Sequence, residues 1–115
     1  MVLKFSELEE RVKSGERYSP VDVLEMEAPP VHPGEVLRED FLKPLGLTQS
    51  QLAKELGVSF RAINELVNEK RDLSREMGIR LAKRFGTSPQ FWLGFQMDYD
   101  LWKAAKRMKL AEVSS

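Results

Sequence analysis

The chain has 115 residues, no cysteine, a single histidine and a formal net charge of zero, with 18 basic residues balanced by 18 acidic ones. That length fits one domain able to bury its own core. The lack of cysteine excludes disulfides and thiolate zinc sites, and His32 alone cannot assemble an imidazole metal centre, so no cofactor is expected.

No apolar run approaches the roughly 20 residues that span a bilayer, and Met1-Val2-Leu3-Lys4-Phe5 does not open a signal-peptide apolar region, which points to a cytoplasmic protein with no membrane partner. A neutral chain is a poor general ligand for nucleic acid, whose affinity comes from neutralised phosphates. The charge is unevenly spread, however. Residues 1–45 carry six bases against ten acids, whereas residues 59–84 carry seven bases against four acids. A local basic patch of this kind can bind DNA, and the modest excess favours a dimer.

In chain order, Ser6 with Glu9 forms a capping box that opens a short helix, closed by Gly15. Four prolines between Tyr18 and Pro33 predict an extended linker, so residues 1–30 read as an N-terminal extension. Residues 31–97 read as the main domain and residues 98–115 as a helix end with a basic tail. Val36, Leu37, Phe41 and Leu42 recur at helical spacing, and Pro44 with Gly46 is expected to end that helix. Thr48 and Gln51 cap a second helix with Leu52, Ala53 and Leu56 on one face and Gly57 as its stop. Ser59 caps a third, with Ile63, Leu66 and Val67 inward. Ser74 caps a fourth, whose apolar set is Met77, Ile79, Leu81, Ala82 and Phe85, and Ser88-Pro89 starts a last one rich in aromatics. No strand alternation appears, so the class is all-α.

The unit from Thr48 to Asn68 has the form of a helix-turn-helix: a small Ala53 at the crossing, Gly57 for a turn with positive φ, Val58 plugging the corner, and a second helix presented outward. Residues at the start of that helix can enter a major groove. Gln49, at the start of the preceding helix, is placed to meet a phosphate, and Ser59, the cap of the outward helix, belongs to the same DNA-facing set. Arg61 suits guanine or a phosphate, Asn64 adenine or the following turn, and Glu65 cytosine or the orientation of Arg61. Phe60 suits a thymine methyl or packing onto Leu47. Lys70 and Arg71 follow the helix where the chain passes the DNA backbone. Phe91, Trp92 and Phe95 read as core, whereas Tyr99 and Trp102 lie beyond the compact unit and read as a dimer contact. His32, in a His-Pro-Gly sequence, reads as a cap on the first helix. No catalytic site is expected, since Asp98 and Asp100 do not converge on a helix.

The stretches His32-Pro33-Gly34-Glu35, Leu45-Gly46-Leu47-Thr48-Gln49, Leu56-Gly57-Val58, Ile63-Asn64-Glu65, Lys70-Arg71, Phe85-Gly86-Thr87-Ser88 and Phe91-Trp92-Leu93 together resemble the HigA antitoxin family of XRE-type regulators. The resemblance covers residues 31–102. It implies a five-helix, lambda-repressor-like domain, usually a homodimer, that binds a palindromic operator in double-stranded DNA at its own promoter. It further implies a HigB-type toxin partner, a ribosome-dependent mRNA endonuclease that the antitoxin neutralises. The alternative is a stand-alone XRE-type regulator without a toxin. Two departures stand out. Glu69 replaces the usual glycine of an Asn-Gly-Lys-Arg turn, which predicts either strain there or a left-handed Asn68, and residues 1–30 extend beyond the family's usual start.

Overall fold

The computed structural model describes residues 23–24 and 26–114, with side chains through Lys109. The expected helix between Ser6 and Gly15 lies outside these residues. Within them the main elements are five helices, and no strand is present. Helix α1 is continuous but composite: Pro33–Val36 is α-helical, Leu37–Leu42 is π-helical and Lys43–Leu45 is α-helical again. Helices α2 (Gln49–Leu56), α3 (Phe60–Val67), α4 (Arg75–Phe85) and α5 (Pro89–Ser114) follow.

The start of α1 depends on His32. Its Nδ1 accepts the Gly34 N–H at 2.9 Å, and Pro33 occupies the first turn, where a missing N–H costs nothing. His32 is buried and its ring meets Tyr99 edge-on at 4.9 Å. Burial depresses the His32 pKa below the ordinary histidine value, outweighing the pull of the Glu69, Asp72 and Asp100 carboxylates. The neutral ring is therefore the folded form, and the unfolded chain binds the extra proton. Stability from this site is complete above about pH 6.5, the ordinary histidine value, and is lost as pH falls below it. Melting temperatures between pH 7.5 and 5 should fall more steeply for the native chain than for His32→Asn, which keeps a capping acceptor but does not titrate. Parallel slopes would refute this role.

The π turn explains how α1 carries Pro44. The Lys43 N–H reaches back five residues to the Arg38 carbonyl, so the turn is one residue wider than an α-helical one. In a regular helix the Pro44 ring would press on the carbonyl four residues before it. Here Pro44 lies inside the helix instead of ending it, and the chain leaves only at Gly46.

The caps of the remaining helices follow the sequence. Thr48 and Gln51 exchange both bonds of a capping box, at 3.1 and 2.8 Å, and the hydroxyls of Ser59, Ser74 and Ser88 each accept the N–H three residues on. Gly57, at φ 69°, turns the chain between α2 and α3, and Val58 packs against the core beside it.

One apolar core joins all five helices. At its centre Phe41 of α1 meets Phe85 of α4 at 4.7 Å and Trp92 of α5 at 4.9 Å between ring centroids. Trp92 is wholly buried and satisfies its indole N–H on the Thr87 hydroxyl at 2.7 Å. Leu52, Ile63, Leu66 and Leu81 complete the centre. Ile79 departs from the expected apolar set. It faces solvent, because α4 buries only the stripe of Met77, Gly78, Leu81, Ala82 and Phe85.

Candidate nucleic-acid interface

Helix α3 buries Ala62, Ile63, Leu66 and Val67, which forces the intervening positions outward. Phe60 and Arg61 are exposed at its start, and Asn64 and Glu65 sit half-buried one turn later. Phe60 is 51% exposed and lies outside the core cluster, whereas Leu47 packs on that cluster.

Side-chain bonds tie Asn64 and, separately, Arg61 and Glu65 to neighbouring segments. Asn64 Nδ2 donates to Gln49 Oε1 at 2.9 Å, tying the outward face of α3 to the first residue of α2. Glu65 accepts from two arginines, Arg61 Nε at 3.1 Å and Arg71 Nη2 at 2.7 Å. Bonding from Arg61 first, and from Arg71 as well, holds the Glu65 carboxyl below its usual range, so it is ionised between two cations. Ser59 spends its oxygen on the Ala62 N–H as the cap of α3. Lys70 is exposed beside this group.

The turn after α3 brings Arg71 back. The left-handed residue is Glu69 at φ 60°, whereas Asn68 stays at φ −90°, so of the two alternatives the turn keeps Glu69 in the strained position and does not shift to Asn68. The Lys70 N–H bonds to the Glu65 carbonyl at 2.8 Å and the Glu69 N–H to the Leu66 carbonyl at 3.0 Å, which is a Schellman ending. A non-glycine residue in this region costs about 1–2 kcal/mol. Arg38 of α1 offsets part of that cost, donating to the Val67 carbonyl and reaching the Glu69 carboxylate at 3.5 Å. Asn68 Nδ2 adds a bond to the Asn64 carbonyl at 2.9 Å.

Two supporting residues carry no local signal in the sequence. Arg38 acts 29 residues from Val67. Buried Gln96 of α5 accepts the Leu73 N–H at 2.7 Å and donates to Asp72 and Asp100, pinning the loop that carries Lys70 and Arg71.

Tyr99 and Trp102 face the chain's own upstream segment. Tyr99 packs on His32, and the Trp102 indole donates to the Met26 carbonyl at 2.9 Å beside buried Val23. Among the described residues, the large apolar side chains that α5 leaves exposed are Met97, Leu101 and Met108, on the opposite side of the helix. Among the described residues no group of three or more histidine, aspartate or glutamate side chains could hold a metal ion, and no helix is long and apolar enough to cross a membrane.

Residues 39–92 match a family model described as helix-turn-helix. Virulence-associated protein I of Dichelobacter nodosus is 49% identical over 75 residues, covering 65% of this chain and 69% of that protein. Antitoxin HigA-1 of Vibrio cholerae is 38% identical over 78 residues, covering 68% and 73%. The chain belongs to the HigA-type helix-turn-helix family. A solved structure of Pseudomonas aeruginosa antitoxin HigA with the higBA promoter superimposes with a TM-score of 0.69 at 41% identity, over 75% of this chain and 95% of that one.

Proposed function

We propose that this HigA-type protein is the antitoxin of a toxin–antitoxin pair: it binds operator DNA at its own promoter, represses its operon and neutralises a HigB-type mRNA endonuclease. The observation that carries the DNA half is the bonded surface of Gln49, Asn64, Arg61, Glu65 and Arg71, in which the outward face of one short helix is fixed to the helix before it and the turn after it. Preorganised side chains on a rigid helix are what base reading in a major groove requires. The same fold in an antitoxin solved with promoter DNA supports the reading.

In this proposal Arg61 and Asn64 read bases, Phe60 meets a thymine methyl, and Gln49, Ser59, Lys70 and Arg71 hold the phosphate backbone. Two copies pair through α5 so that two α3 helices lie about one DNA turn apart. The contact falls on Met97 and Leu101, with Tyr99 and Trp102 bracing the helix from behind.

The test is co-expression with the adjacent open reading frame, followed by purification and a mobility shift on the upstream promoter. A small protein that co-purifies, together with a shifted promoter fragment, is the expected result. A shift with no co-purifying partner favours the stand-alone regulator. A folded chain that shifts no promoter fragment at low salt rejects the operator reading.

A further inference from the structure

We propose that Glu65 is the positioning residue that makes Arg61 a guanine reader and couples it to a backbone contact by Arg71; this rests on the operator-binding reading above. An arginine whose side chain is 82% exposed has many orientations open to it, and ordering it on DNA would cost affinity. Glu65 lies one turn further along the same face and is far less exposed. One of its oxygens takes Arg61 Nε and the other takes Arg71 Nη2.

Three consequences follow from that geometry. Both carboxylate oxygens already accept bonds from guanidinium groups, so Glu65 is poorly placed to accept from cytosine. The cluster of two guanidiniums and one carboxylate is net positive, so the acid does not turn the site against DNA. With Nε directed to Glu65, the outward edge of Arg61 is its pair of terminal amino groups, and two parallel donors match O6 and N7 of guanine in the major groove.

The backbone explains why Arg71 takes part. The left-handed Glu69 and the Lys70 N–H bond to the Glu65 carbonyl fold the chain back over α3, and this returns Arg71 to the residue that orients Arg61.

The test uses the full chain and promoter duplexes in which each guanine in turn is replaced by 7-deazaguanine, which lacks the N7 acceptor. For the native protein, one guanine per half-site should prove sensitive, with binding about tenfold weaker. In Glu65→Gln that penalty should shrink to less than about threefold, while binding to a non-operator duplex stays equal or tightens because a negative charge is gone. Arg71→Gln leaves the Arg61–Glu65 bond in place, so it should weaken binding overall and keep most of the guanine penalty.

A Glu65→Gln protein that retains the full penalty overturns the proposal. So does a native protein that binds its promoter with no guanine sensitive to the change. A native protein that shifts no promoter duplex removes the operator reading, and this inference with it.

Discussion

Gly34→Ala is expected to lower stability by about 3 kcal/mol, the upper end of overpacking costs, and so to lower the melting temperature by at least roughly 12 °C. A methyl group at this position would stand 1.8 Å from the Leu66 carbonyl oxygen and 2.8 Å from its carbon, where α1 crosses the backbone of α3. The obstacle is backbone, so no side-chain rotation relieves it. Alanine's better helix propensity returns at most about 1 kcal/mol, which is too little to reverse the sign. The loss should reach function as well, since separating α1 from α3 also displaces Arg38 from the Val67 carbonyl that it caps. Thermal denaturation followed by circular dichroism checks this. A variant that melts within a few degrees of the native chain would show that the two helices are not held in this contact.

Arg61→Ala is expected to do the opposite, sparing the fold and damaging recognition. The side chain is largely exposed and its ion pair with Glu65 is of the surface kind, which adds little to stability, so the melting temperature should barely move. Loss of a bidentate base contact should weaken operator binding by roughly ten- to a hundredfold and relax base preference at one position of each half-site. A phosphate contact leaves a different signature: affinity falls evenly across sequences and the salt dependence becomes shallower by about one ion. Titrations of operator and scrambled duplexes at two salt concentrations separate the two. Unchanged affinity with unchanged base preference would remove Arg61 from the reading head.

Much of this architecture is legible in the sequence because its signals are local. A capping box such as Thr48 with Gln51 lies within one turn, and the inward stripe of α3 follows from a period of 3.6 residues. What escapes is set by contacts between distant segments. Arg38 and Gln96 support the turn after α3 from 29 and 23 residues away, and their types alone do not mark them. Glu69 takes the left-handed position because the Schellman bonds and Arg38 fix the turn there, although residue preference points to Asn68. Tyr99 and Trp102 look like a free aromatic pair until the segment around Val23 and Met26 is seen against them. Within the candidate site, the sequence leaves Glu65 between two roles, and it does not show that arginines from two separate segments occupy both of its oxygens.

The π turn in α1 has a bearing on how this protein can evolve. A turn of this kind amounts to one residue inserted into a regular helix, and everything beyond it is rotated by about 100° relative to what precedes it. Deleting a residue between Leu37 and Leu42 would restore regular winding, and it would press the Pro44 ring onto the carbonyl four residues before it. Related sequences should therefore vary in length in the loops between helices while α1 keeps a fixed count from His32 to Gly46.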